Sequence, residues 1–352
     1  MELASLLAEL CAVSAPSGAE HELADLLTSR WEPRCESLRR DPVGNLVARV
    51  GGSGPRVLLQ AHMDQVGYIV RHVTDDGYLL LDGSQGDRRN GPERRHPIGQ
   101  PVRVLLRDGA WLDGLIAASS GHVLTAAQRD EHRLGYDDFW VEVGLDSRDA
   151  VHAAGVHVGS SAVFSAPVRT IGELLIGPAM DNRVGLAVMD AVIDAVAGQT
   201  LACELWLGAT VQEENGLHGA RVLGAAEQFD AAIALDVGLA GDIPAVDARE
   251  YSTSLGAGPI AVHRDTGIVY DRLLTQHLLA LAAGAGIPAQ DGLFAGYGSD
   301  GLALAESGSP TALLTVPTRY THTAYETVHP DDLAATVDLL VALVTTALPA
   351  RP

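Results

Sequence analysis

Six side chains of this sequence could share one reaction: His62, Asp181, Glu213, Glu214, Asp236 and His322. Two imidazoles and four carboxylates form a donor set that zinc or cobalt accepts, whereas magnesium and calcium cages use oxygen alone. Two such ions sharing a carboxylate would polarise a carbonyl and hold a hydroxide near neutral pH, which is the chemistry of hydrolysis.

Each residue sits in a short segment that gives it a local reason to be there. In His62-Met63-Asp64 the i and i+2 side chains share a face in extended chain, so Asp64 can accept the second ring N–H of His62 and fix its tautomer. Gly177-Pro178 turns the chain ahead of Asp181, which opens an apolar helix; an ordinary helix cap is the competing use of that aspartate, and if Asp181 bridges metals, Asn182 is left to cap. Glu213 and Glu214 directly follow a buried strand, where an unpaired charge is costly. Consecutive side chains diverge, so Glu214 is expected to hold a metal while Glu213 takes a proton from metal-bound water. Asp236 finishes the strand that begins at Ala231, and His322 follows Pro317 and a further strand.

The elements that must position these residues follow from periodicity. Leu3, Leu6, Leu7 and Leu10, then Leu23, Leu26 and Leu27, give two helices separated by the turn Ser14–Gly18. Strands are expected at 45–50, 57–61, 204–211, 231–237 and 311–316, and helices at 181–196, 277–285 and 330–348. Between Gly67 and Ala166 short alternating runs replace helical spacing, as in Val102–Leu106 and Trp140–Gly144. This stretch is expected to be a small all-β insertion, leaving residues 1–66 and 167–352 as one discontinuous α/β domain. Strand-to-loop junctions at the carboxyl edge of such a sheet are where sites gather.

Composition narrows the classes. The formal charge is −21 over 352 residues, and all 24 Lys-plus-Arg positions are arginine, so the cationic footprint of a nucleic-acid binder is missing. No run approaches the roughly 20 apolar residues of a membrane span, and the opening MELASLLAEL lacks the basic start of a secretory signal. Cys11, Cys35 and Cys203 are too few and too dispersed for a disulfide framework and suit a reducing compartment, so a cytoplasmic location is expected.

Together the ordered segments HMD, DNR, QEE, LD and RYTH resemble those of the tetrahedral, or glutamyl, aminopeptidases of the forty-second metallopeptidase family. Ser14–Glu20, Asp41–Leu46, Gly216–Ala220 and Ser299-Asp300 extend the likeness along the whole chain. The resemblance implies a doubly wound α/β catalytic domain with an inserted PDZ-like or barrel-like domain for dimerisation. It implies two zinc or cobalt ions, one on His62, Asp181 and Asp236 and the other on Asp181, Glu214 and His322. Glu213 would be the base, and Asp64 would orient His62. Peptides would be the substrates, and the chain would form homo-oligomers, as dimers or as tetrahedral dodecamers. Two departures stand out: Gln65 replaces the acidic residue usual after HMD, altering charge near the site, and Gln85–Arg95 is an unusually charged loop bearing on assembly or access.

Removal of N-terminal residues from peptides is therefore the expected reaction. Deacylation of N-acyl amino acids or carboxypeptidase-type cleavage would use the same metals, because an amide is attacked in each case. A non-catalytic assembly scaffold is the third reading; it is disfavoured because every expected site residue is present.

Overall fold

A computed structural model describes residues 2–84, 97–120, 122–123, 135–244 and 246–351. The charged loop Gln85–Arg95 lies outside the described residues. Helices α1 (Leu3–Ala12) and α2 (His21–Trp31) lead into strands β1 (Ser37–Arg40), β2 (Leu46–Gly52) and β3 (Arg56–His62). Strands β4 (Tyr68–Val73), β5 (Leu79–Gly83), β6 (Pro101–Leu105), β7 (Trp111–Ala118) and β8 (Phe139–Glu142), short helix α3 (Arg148–Ala153) and β9 (Ser161–Phe164) come next. The chain returns through β10 (Arg169–Ile171), β11 (Leu174–Gly177), α4 (Met180–Ala195), β12 (Glu204–Thr210), α5 (His218–Ala226) and β13 (Ala231–Leu239). It finishes with β14 (Ile260–Arg264), α6 (Arg272–Ala285), β15 (Gln290–Leu293), α7 (Gly301–Glu306), β16 (Thr311–Arg319), β17 (Glu326–Val328) and α8 (Pro330–Thr345).

These elements make an α/β fold whose main sheet runs β1-β2-β12-β3-β13-β16-β17-β11-β10, with β14 and β15 branching from β16. The four central strands β12, β3, β13 and β16 are mutually parallel, and the flanking pairs are antiparallel. Helices cover both faces. Val57, Leu59, Ala61, Ala231 and Ile233 face the larger core built with α1, α4 and α8, while Leu58 and Ala232 face Leu223 and Leu304 of α5 and α7. Strands buried on both sides explain why their sequences read as continuous apolar runs without alternation.

Strands β4-β5-β8-β7-β6-β9 close into a separate barrel. Its centre concentrates aromatics that are scarce elsewhere: the Tyr68 ring meets Phe139 and Phe164 edge-on at centroid distances of 6.1 and 5.7 Å, offset geometry that the ring quadrupoles favour. Closure leaves no free strand edge. Among the described residues, no helix is long and apolar enough to cross a membrane.

Several elements differ from the sequence reading. Helix α3 lies inside the stretch expected to be all-β, because Ser147 caps it by accepting the Ala150 N–H, and strands β1, β10, β14, β15 and β17 are not among those expected. Helix α6 starts at Arg272, not His277, because the Asp271 side chain accepts the Leu274 N–H at 2.9 Å and caps it there. Strand β13 continues past Asp236 to Leu239, so that aspartate lies within a strand. Strand β16 runs through Pro317 to Arg319. The carbonyls of Pro310 and Thr318 face β13, which by alternation turns the Pro317 nitrogen to the other edge. On that edge β14 pairs only as far as Thr315 and β17 takes over at Thr318, so the absent N–H breaks no ladder bond.

Candidate active site

The carboxyl edge of the four parallel strands gathers the chemistry. His62 is the last residue of β3, and it is level with Thr210, the last of β12. Asp236 lies near the end of β13, in register with Thr315 of β16. Asp181 comes from the entry to α4, Glu213 and Glu214 from the turn after β12, and His322 from the turn after β16. All six border one cleft of about 480 Å³.

Asp181 stands at the centre. Its Oδ1 is 3.1 Å from His62 Nε2, and its Oδ2 is 3.3 Å from His322 Nε2. His62 Nε2 also lies 3.8 Å from Asp236 Oδ1, and His322 Nε2 lies 3.5 Å from Glu214 Oε2. Ligand atoms of His62, Asp181 and Asp236 fall within 4.8 Å of one another, as do those of Asp181, Glu214 and His322. A third grouping, His62 with Glu213 and Glu214, meets the same limit. Two triads sharing one aspartate fit a pair of cations, and nitrogen with carboxylate donors suits borderline divalent metals.

The electrostatics point the same way. Burial, reinforced by neighbouring carboxylates, pushes Glu213 well above the usual carboxylate range and Glu214 up to about 8. Burial works against charge on the imidazoles too, yet Asp181, Asp236 and Asp64 hold His62 well above its ordinary value. Against the same burial, Glu214 and Asp181 hold His322 up to about 10. Burial leaves the glutamates holding protons when no cation faces them, and divalent metals would neutralise the cluster in place of those protons.

The surrounding shell fixes these groups through backbone bonds. Asp64 lies beyond the end of β3, and its backbone carbonyl is 3.1 Å from His62 Nδ1, closer than its own carboxylate at 3.4 Å. That carboxylate accepts Ser17 Oγ–H at 2.6 Å and the Glu213 and Glu214 N–H groups at 2.9 and 3.2 Å. Asp64 therefore ties the histidine to the diglutamate turn. The turn is further held by Glu20, which accepts the Gln212 N–H, and by Asn45, which accepts the Val211 N–H and donates to the Gly219 carbonyl. A Cβ on Gly219 would meet Asn45 Oδ1 and come within 2.5 Å of Val211 N, so only glycine allows that approach.

At the entry to α4, Asp181 and Asn182 have non-helical dihedrals. Asn182 Oδ1 accepts the Gly185 N–H at 3.1 Å, the capping bond, and its amide donates to the Leu235 carbonyl at 2.7 Å, docking the helix beside Asp236. Asp181 is thereby freed from capping. Arg183 is fully buried and points away from the cleft. Its guanidinium donates to the carbonyls of Leu10, Met63 and Val13 and to Gln65 Oε1. Gln65 also accepts the Ala15 N–H, so it belongs to this clamp and does not face the histidine–carboxylate cluster.

Sequence reasoning gave Glu326 no role. It is buried in β17 opposite Gly177 of β11, and it accepts the His322 N–H at 2.6 Å and the Asp181 N–H at 3.0 Å. One carboxylate thus spans two ligand-bearing segments that are far apart in sequence. The acidic end of the RYTHTAYE segment was visible, but nothing in the sequence places it beside Asp181. Ala324, in the same segment, packs into the barrel core, so the barrel braces the turn that carries His322. Asp300 was noted only as part of a motif; its carboxylate is buried beneath β3 and β12, accepts Gln60 and Thr210 at 2.6 Å each, and is pushed up to about 7 by burial.

The comparisons with known proteins agree with this geometry. The family model described as M42 glutamyl aminopeptidase matches residues 44–339. The lysyl aminopeptidase of Pyrococcus furiosus is 30% identical over 334 residues, covering 93% of this chain and 92% of that protein. A solved TET aminopeptidase from a marine-sediment archaeon of the Thaumarchaeota superposes with a TM-score of 0.91 at 28% identity, covering 97% of this chain and 96% of its own. The Pyrococcus horikoshii TET1 peptidase, which can assemble into a tetrahedron or a large octahedral shell, gives a TM-score of 0.85 at 27% identity, covering 97% of this chain and 99% of that one.

Proposed function

The chain belongs to the M42 glutamyl aminopeptidase family and is a metal-dependent aminopeptidase, and from that premise we propose how its own residues divide the work. His62, Asp181 and Asp236 hold one divalent ion, and Asp181, Glu214 and His322 hold a second, zinc or cobalt in each case. The observation that carries this reading is Asp181, whose two oxygens face different histidines at 3.1 and 3.3 Å. Bound divalent metal supplies Lewis-acid polarisation of the scissile carbonyl and makes water a nucleophile near neutral pH.

The protein does the rest. Glu213, on the cleft wall, takes the proton from the attacking water and returns it to the leaving amine. Asp64 holds the Glu213 backbone and the His62 ring in one unit, so base and ligand keep their separation through the reaction.

The test is hydrolysis of aminoacyl p-nitroanilides by chelator-stripped protein with and without restored zinc or cobalt. Activity is expected to vanish on stripping, to return with either metal, and to be absent on N-acetylated substrates. Preferred cleavage of the acetylated series would replace this reading with deacylation. Glu326→Gln gives a second check, because an amide offers one acceptor where two backbone N–H groups need both carboxylate oxygens. It is expected to weaken binding of one metal by about 10–100-fold in a metal titration, with the other retained.

We also propose that the barrel segment, 67–166, serves homo-oligomer assembly, up to the closed shells formed by the TET1 relative. Ile69, Leu115 and Val158 on the barrel are exposed at 37, 45 and 63% and would be covered by a second copy. Sedimentation velocity separates dimer from dodecamer. All three cysteines are free thiols, which suits a reducing, cytoplasmic setting.

A further inference from the structure

With the scissile carbonyl at the metals, the side chain of the N-terminal residue must occupy the part of the cleft not taken by ligands. That part is walled by Leu217, Leu239, the Tyr297 ring and Thr321, with Gly296 and Gly298 between them. Among the described lining residues, the only basic groups are His62 and His322, and both face carboxylates. The only acids are the cluster itself.

Two arginines approach the rim, and both are engaged. Arg221 reaches the Gly216 carbonyl and pairs with Glu306 at 2.6 Å. Arg319, two residues before Thr321, donates twice to the Asp242 carboxylate. The Tyr297 hydroxyl is likewise committed, donating to the Val237 carbonyl at 2.8 Å. A charged substrate side chain placed here would shed water and find no oppositely charged partner among the described lining residues outside the cluster, which is unfavourable. An aliphatic one would bury apolar surface against leucine and ring carbons at no such cost.

Space is set by the glycines. A Cβ on Gly298 would meet no atom within 4 Å, and Gly298 is not held in the left-handed region. Its missing side chain is therefore open cleft, and the backbone tolerates replacement.

We infer that the enzyme releases uncharged aliphatic N-terminal residues, leucine and methionine foremost, and that Gly298 is a specificity-determining position that keeps room for them. The inference rests on the aminopeptidase reading above and sets its substrate class.

The experiment compares kcat/KM for Leu, Met, Ala, Glu and Lys p-nitroanilides on the metal-loaded full chain, then on Gly298→Val and Gly298→Arg. Leu and Met are expected to exceed Glu and Lys by about 100-fold or more, and Ala by about 10-fold. Gly298→Val should lower the Leu:Ala ratio by about 10-fold through lost space, with metal content unchanged. Gly298→Arg should raise the Glu:Leu ratio by a similar factor by supplying the partner that the wall lacks. Glu or Lys cleaved as well as Leu by the unaltered enzyme would overturn the substrate class while leaving the aminopeptidase intact. Val and Arg variants with unchanged ratios would remove Gly298 from the specificity wall. Failure to cleave any free-amine substrate would overturn both readings together.

Discussion

Glu213→Gln is expected to lower kcat by about 10²–10⁴-fold, the usual contribution of a positioned general base, with KM and metal stoichiometry close to those of the unaltered protein. The reason lies in how the turn is built. The Glu213 and Glu214 N–H groups both bond Asp64, so the two side chains leave a fixed backbone in different directions. Glu214 faces His322 at 3.5 Å, inside the triad that it shares with Asp181. Glu213 lines the cleft and also lies in a grouping with His62 and Glu214, so proximity does not by itself separate base from ligand. The amide variant does. It keeps the shape and the hydrogen-bonding oxygen but accepts no proton. Loss of kcat with both metals retained identifies the base; loss of a metal ion, read by elemental analysis after gel filtration, would make Glu213 a ligand and sink the assignment.

The second large effect concerns stability. Arg183→Met is expected to destabilise the fold by about 3–5 kcal/mol, the range for breaking a buried hydrogen-bond network, and to lower the thermal midpoint by roughly 4–7 °C for a chain of this length. Arg183 is fully buried, and its fork satisfies three backbone carbonyls, from Leu10, Val13 and Met63, together with Gln65. Methionine fills similar volume but leaves the Val13 and Met63 carbonyls without that donor, while Leu10 keeps the Val13 N–H and Gln65 keeps the Ala15 N–H. Because Leu10 and Val13 end α1 and Met63 follows His62, the same change should loosen the first metal triad. Arg183→Lys should rescue little, since an ammonium cannot reproduce the planar fork. A Met variant that unfolds within about 1 °C of the unaltered protein in calorimetry would show that the clamp contributes little; over a chain of this length a 1 kcal/mol loss alone moves the midpoint by roughly 1.4 °C.

Much of this molecule was legible before any coordinates. Buried parallel strands announce themselves as short apolar runs, and helical spacing is lost after Gly67 where the barrel strands begin, though helix α3 also lies in that stretch. Acids and histidines placed directly after such runs were legible too, because the carboxyl edge of a parallel sheet is a property of local strand direction. The reading erred where a local signal was ambiguous. Pro317 looked like a strand terminator, yet it is tolerated because its nitrogen faces an unpaired edge, and which edge is paired depends on strand order.

The sequence by itself determined which residues are candidates to carry the chemistry, since residue type and the local strand-to-turn context are encoded within a few positions. Only the tertiary structure decided which of them meet. Asp181 and His322 are separated by most of the catalytic domain and come within 3.3 Å because β11 and β17 are paired. That pairing also sets Glu326 under both backbones. A motif fixes what a side chain can donate or accept; strand register and helix docking act over long sequence separations and fix to whom.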